Sequence, residues 1–177
     1  MYEKILGSCL GAAVGDSMGA ATEVRSLDQI KEYFGGFVRE LISPPRGTFG
    51  YGNEPGQITD DFGQAYFLAQ AIIDNNGVVD EATAKKSLIT WADTGDYLAR
   101  FAGPTTREAI MRMKGELDDA EDDIEQLNPG KKATNGCAMK IFPVGLITPG
   151  DLDRTIENAA TVAMVSHNNN LSISGAC

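Results

Sequence analysis

Apolar residues recur along most of the chain at the three- and four-residue spacing of a helix, and no stretch shows the sustained alternation of a strand. Residues 2–20 form the first predicted helix. Within it Gly7, Gly11, Gly15 and Gly19 recur at every fourth position and so lie near one face. A glycine costs a helix about 1 kcal/mol relative to alanine, so this series needs a reason. The plainest is close approach of another helix or of a ligand. Residues 26–34 read as a short helix with Ser26 as N-cap and Gly35-Gly36 as its stop. Residues 43–58, crowded with glycine and proline, predict a long loop of the kind that often carries function. A stronger helix follows over residues 60–75, where Phe62, Ala65, Tyr66, Ala69, Ile72 and Ile73 mark an apolar face.

Asn75-Asn76-Gly77 ends that helix, and Asp80 caps the next, which runs to Trp91. Pro104 sits where a first-turn proline belongs, ahead of a helix that continues to Lys114 and is closed by Gly115. The acidic run 116–126 reads as a solvated helix face or loop. Lys131 to Gly136 form a loop. Cys137 to Ile147 are apolar with a kink expected at Pro143, and Asp151 caps a helix through Val165. The chain turns at Ser166 to Asn170 and ends at Cys177 in what reads as the start of one more helix. The pattern therefore implies an all-α fold, and 177 residues suit one domain.

Composition narrows the possible partners. A chain of this length can bury roughly 70% of its unfolded surface, and a hydrophobic content of 42% is that of a globular protein. With 15 basic and 25 acidic residues the net charge is −10, so there is no general attraction for nucleic acid or an anionic membrane. A phosphate-bearing ligand would need a metal ion or helix N-termini to hold it. Cys9, Cys137 and Cys177 are odd in number and lack CxxC spacing. They argue against a disulfide framework or structural zinc, and for a reducing cytoplasm. Glu3, Asp16 and Glu23 interrupt the N-terminal apolar run, which favours a buried helix over a signal peptide. No other run is long enough to span a membrane.

The candidate chemistry is acidic. Gln57-Ile58-Thr59-Asp60-Asp61 follows the loop and opens a helix. Two adjacent carboxylates and a hydroxyl form the hard-oxygen cluster that Mg²⁺ or Mn²⁺ prefers. The plain alternative is a helix cap, with Thr59 or Asp60 capping and Asp61 favouring the dipole. Asp16 lies in an otherwise apolar, glycine-striped segment, where a carboxylate must be hydrogen-bonded or bound to metal. Glu23 follows shortly, with a surface residue past a helix end as its plain reading. Thr134-Asn135-Gly136-Cys137-Ala138-Met139 is a small-residue loop whose backbone N–H groups could cradle phosphate. The only histidine, His167, stands in a polar turn, where the ordinary expectation is exposure. Nothing marks an activated Ser or Cys nucleophile.

In order and spacing, these motifs together resemble one family. Gly7, Gly11, Ala13, Gly15-Asp16, Gly19 and Glu23 are similar to the opening signature of the ADP-ribosylglycohydrolases, and Gly56 to Asp61 resembles that family's first metal motif. Asp93 to Glu108, Thr134 to Leu146 and Ser166-His167 resemble its later segments in the right order. The resemblance implies an all-α orthogonal helical bundle with two Mg²⁺ or Mn²⁺ ions. It implies Thr59, Asp60 and Asp61 as metal ligands, and Glu23, Asp60 and Asp61 as catalytic groups. Asn135 and Gly136 would lie near a pyrophosphate and His167 near a ribose. The implied reaction is hydrolysis of an ADP-ribosyl glycosidic bond, with an ADP-ribosylated protein or an ADP-ribose-like small molecule as partner.

Two departures stand out. Phe62 occupies a position that is usually Thr or Ser in the family, and the family's second Asp-x-Asp-Thr motif is absent before Cys177. Asp151-Leu152-Asp153-Arg154 is no substitute: it comes too early, precedes Arg, and reads as a helix cap. The expectation is thus a single partial domain over 1–177 that is inactive alone: either a fragment whose remainder is a second chain or copy, or a truncated form with an incomplete metal site. The alternative is a non-catalytic binding or structural relative that keeps the scaffold.

Overall fold

The computed structural model describes residues 1–117 and 133–177. Among these residues the chain is all-helical, with α1 at Tyr2–Gly19, α2 at Leu27–Phe34, α3 at Asp60–Asp74, α4 at Glu81–Ala92 and α5 at Tyr97–Arg100. Then come α6 at Pro104–Met113, a 3₁₀ turn at Ala138–Lys140, α7 at Phe142–Ile147, α8 at Leu152–Met164 and α9 at Asn170–Ala176. Most of the acidic run predicted over 116–126 lies outside the described residues, as do the first residues of the loop expected from Lys131. No described helix is long and apolar enough to cross a membrane. The chain gathers into two compact units, Met1–Phe62 and Gly63–Cys177.

In the first unit α1 forms over the predicted span, but none of the described residues packs on its glycine stripe. A Cβ placed on Gly7, Gly11, Gly15 or Gly19 would meet no atom of the described residues within 4 Å, and only Asp16 and Ser17 of the helix are buried. The close approach comes at the helix end instead. Ala20 and Ala21 are buried there, and a Cβ on Gly50 would lie 3.1 Å from both the Ala20 Cβ and the Pro44 Cγ. The 43–58 loop packs on this turn. The second helix is framed as its sequence predicts: Ser26 and Gln29 form a reciprocal capping box, and Gly35 ends it at φ 71°, a conformation glycine adopts without steric penalty.

The second unit holds the larger core. Leu68 and Ile72 of α3 pack with Ala84 of α4, Val144 of α7, and Ala159 and Val162 of α8. A neighbouring cluster joins Leu88 and Trp91 of α4 to Phe101, Ala102 and Ile110. The apolar face predicted for α3 is met in part: Ala65 and Ile72 are buried as expected and Phe62 and Ala69 partly so. Tyr66 and Ile73 are 52% and 68% exposed, whereas Gln64, Leu68 and Ala71 are buried. Two overlapping stripes fit the helical period here, and packing selects the one that places Leu68 and Ile72 against α7 and α8 and brings Gly63 onto the Trp91 indole. Asp80 and Asp151 cap α4 and α8, accepting from the backbone N–H of Thr83 and Arg154. The kink expected at Pro143 is a break: the 3₁₀ turn stops, and a separate short helix starts with Pro143 in its first turn, where a missing N–H costs nothing.

Candidate functional site

The acidic motif lies at the end of the first unit, where the chain enters α3. Asp16, only 8% exposed, reaches this point from the last turn of α1. Its Oδ2 accepts from the Thr59 backbone N–H at 2.8 Å and the Phe62 N–H at 3.1 Å, and the Thr59 hydroxyl donates to its Oδ1. Accepting from the third residue of a helix is what an N-cap side chain does. Here the cap comes from 46 positions upstream. Neither Thr59 nor Asp60 acts as the cap, as the plain reading had it, and Thr59 is a donor to Asp16. A second bond, from Ser17 Oγ to the Gly56 carbonyl at 3.1 Å, ties the end of the loop to the same turn of α1.

With capping assigned to Asp16, the Asp60 and Asp61 carboxylates are released from it. Burial first, then the charge of Asp61, pushes the Asp60 carboxyl from 3.8 up to about 7; its own backbone N–H opposes this, and Glu23 and Asp16 add to it. Burial also raises Glu23, with Asp61 and Asp16 contributing, and burial with Asp16 raises Asp61. Glu23 and Asp60 therefore feel the charge of Asp61, and all three feel that of Asp16. No ion pair and no side-chain hydrogen bond from another residue reaches Glu23, Asp60 or Asp61 among the described residues. Such a cluster is relieved by a proton or by a cation.

The donor set fits a hard divalent ion by its chemistry. The Thr59 hydroxyl, while donating to Asp16, keeps its lone pairs, and Asp60 and Asp61 supply carboxylate oxygen. No group of three His, Cys, Asp or Glu side chains among the described residues converges to hold an ion by itself. Mg²⁺ commonly takes only one or two carboxylates and keeps several waters, so this arrangement is within its habits.

A second constellation belongs to the second unit. Asn135 is exposed and Gly136 buried in the turn that precedes the 3₁₀ segment. His167, expected to be exposed, has 0% exposure. Its Nε2 lies 2.9 Å from Thr134 Oγ1, and its Nδ1 lies 2.9 Å from Ser166 Oγ. Ser166 and His167 fold inward and Asn169 bonds to Ser172, while Asn168 and Asn170 stay exposed as the sequence suggested. Burial and then the nearby Lys140 charge lower the His167 pKa from 6.5 to about 4, so the ring is neutral. Lys140, 1% exposed, donates to Ser166 Oγ at 2.9 Å and approaches Gln64 Oε1 at 3.5 Å. Sequence reasoning passed over both Lys140 and the capping role of Asp16. The signal for Lys140 was present: a single charge inside the apolar run 137–147.

Glu23, Thr59, Asp60 and Asp61 are thus brought together with Asp16 in the first unit, and Asn135, Gly136 and His167 are brought together in the second. The ADP-ribosylglycohydrolase family matches residues 1–177. The protein YegU of Escherichia coli K12, whose function is uncharacterised, is 30% identical over 176 residues, 98% of this chain and 51% of YegU. The ADP-ribosyl-(dinitrogen reductase) glycohydrolase of Rhodospirillum rubrum is 28% identical over 175 residues, 97% of this chain and 54% of that protein. The ADP-ribosylarginine hydrolase Tri1 of Serratia proteamaculans is 24% identical over 169 residues, 93% and 42% of the two chains. The chain spans about half the length of the curated relatives it matches.

Proposed function

This chain belongs to the ADP-ribosylglycohydrolase family, and from that premise we propose that it serves the metal-dependent hydrolysis of an ADP-ribosyl glycosidic bond, freeing ADP-ribose from a protein or small-molecule acceptor. The observation that carries this reading is the cluster of partly buried Asp60 and Asp61 with exposed Glu23, their carboxyls raised by burial and neighbouring charge, with no cationic partner among the described residues. Thr59, Asp60 and Asp61 would hold Mg²⁺ or Mn²⁺, as one of two ions in the complete site. When bound, the metal supplies orientation of ribose hydroxyls and activation of water. Glu23, whose carboxyl is raised by burial and by the charges of Asp61 and Asp16, would pass a proton to the leaving atom or, ionised, stabilise oxocarbenium charge. Asp16 holds the motif in shape. In this reading the Asn135–Gly136 turn receives the pyrophosphate, and a second chain or copy supplies the part of the site that relatives carry in their other half. Free Cys9, Cys137 and Cys177 fit a cytoplasmic setting.

A non-catalytic relative is the second reading, favoured by Phe62 at a position where the family usually has a hydroxyl. One experiment separates them. This chain would replace the matching residues of the R. rubrum glycohydrolase, and release of ADP-ribose would be followed with Mg²⁺ or Mn²⁺. The enzymatic reading expects cation-dependent turnover that Asp61→Asn abolishes. A folded chimera that binds ADP-ribose without turning it over would establish the scaffold instead.

A further inference from the structure

Resemblance placed His167 beside a ribose, yet the ring has no surface to offer one. It is 0% exposed, and both nitrogens are engaged, one by Thr134 Oγ1 and one by Ser166 Oγ, each at 2.9 Å. A neutral imidazole donates through one nitrogen and accepts at the other, so no position is left for a ligand hydroxyl. The approach to Gly136 is closer still: a Cβ there would lie 2.7 Å from His167 Nε2 and 2.8 Å from Cε1. The space that a side chain at Gly136 would fill is therefore occupied by the imidazole. Behind the ring, Lys140 fixes the Ser166 hydroxyl at 2.9 Å. A separate strap reaches the same turn from α9, where the Cys137 thiol donates to the Ser172 carbonyl at 3.0 Å and Ser172 Oγ donates to the Thr134 carbonyl at 3.4 Å.

We propose that His167 is a positioning residue: anchored by Lys140 through Ser166, its imidazole sets the backbone of the Thr134–Cys137 turn, and it acts on a ligand only through that turn. Exposed Asn135 is the part a ligand meets. Gly136 is glycine because the imidazole needs the room. The role in recognition rests on the proposed ADP-ribosyl function, whereas the role in shaping the turn does not.

Thr134→Val removes one hydroxyl at an exposed position and keeps the side-chain volume, so it tests the link without disturbing the core. Backbone amide exchange at Asn135, Gly136 and Cys137 should speed up roughly 10-fold, the effect of one ordinary hydrogen bond, and Thr134→Ser should restore it. ADP-ribose affinity, measured by calorimetry on the same variants, should weaken in parallel. Combined with His167→Leu, Thr134→Val should add nothing, because the two act through one bond. If His167→Leu does not fold, Ser166→Ala takes its place in the cycle. Unchanged exchange in Thr134→Val, or effects that multiply in full in the double variant, would overturn the proposal. Should the wild-type chain bind no ADP-ribose, the functional reading fails, and the exchange data still decide whether His167 shapes the turn.

Discussion

Replacing Asp16 is the sharpest probe of how the acidic motif is built. Its carboxylate accepts from the Thr59 N–H, the Phe62 N–H and the Thr59 hydroxyl while almost fully buried. Bonds to a charged acceptor contribute about 1.5–3 kcal/mol each, and loss of a helix cap about 0.5–2 kcal/mol. Set against this is relief of repulsion, because Asp16 raises Glu23, Asp60 and Asp61. Asp16→Ala should therefore cost about 2–4 kcal/mol locally, a roughly 30- to 1,000-fold loss of exchange protection at the Phe62 amide. Asp16→Asn, which keeps one acceptor oxygen, should lose less. The balance also has a pH signature. Repulsion grows as the neighbours ionise, so the penalty for Asp16→Asn should shrink as pH rises through about 7, the value to which Asp60 is pushed. Amide exchange of Thr59 and Phe62, read by NMR between pH 5.5 and 8.5, measures both effects. Unchanged protection of Phe62 in Asp16→Ala would refute the capping argument, and a penalty that grows with pH would refute the electrostatic one.

Asp60 retains a proton in the fold that the unfolded chain has released between pH 3.8 and about 7. Over that window the metal-free protein should lose stability as pH rises, by about 1–2 kcal/mol once solvent screening is allowed for. Mg²⁺ should raise the melting temperature at pH 8 and hardly at pH 5, and a cation effect equal at both would count against the site. His167 works in the opposite sense. Its folded pKa of about 4 lies below 6.5, so its contribution is complete above pH 6.5 and is lost as pH falls toward 4. Urea midpoints followed through Trp91, the only tryptophan, should fall over that range, and less steeply in His167→Gln. Two glycines should answer oppositely to alanine. Gly136→Ala, with its Cβ 2.7 Å from His167, should destabilise by about 1–3 kcal/mol, whereas Gly7→Ala, open on all sides, should stabilise α1 by about 1 kcal/mol in thermal unfolding followed by circular dichroism.

Most helices were legible because their ends carry local chemistry. Ser26, Asp80 and Asp151 cap from adjacent positions, and Gly35 and Pro104 act on their own backbone. The misreadings all involve partners distant in sequence. The helical period alone cannot choose between two overlapping stripes on α3, and that choice came from α7 and α8. Asp60 and Asp61 stood out as a pair, but that Asp16 caps their helix depends on a contact across 46 positions. His167 looked exposed because its neighbours are polar, and only the fold reveals that it turns inward with Ser166 while Asn168 and Asn170 stay outside. The glycine stripe of α1 was the clearest pattern in the sequence, and within the described residues nothing packs on it.

The last turn of α1 fastens the following loop at two places, with Gly50 seated on Ala20 and the Gly56 carbonyl bound by Ser17. The short span between them, from Tyr51 to Pro55, is mostly exposed. Asn53 within it is buried and donates to the Ile58 carbonyl, so the span is pinned at its middle as well as at its ends. A change of length there would be transmitted along the backbone to Thr59, Asp60 and Asp61, whereas a substitution at exposed Glu54 would leave both fastenings in place.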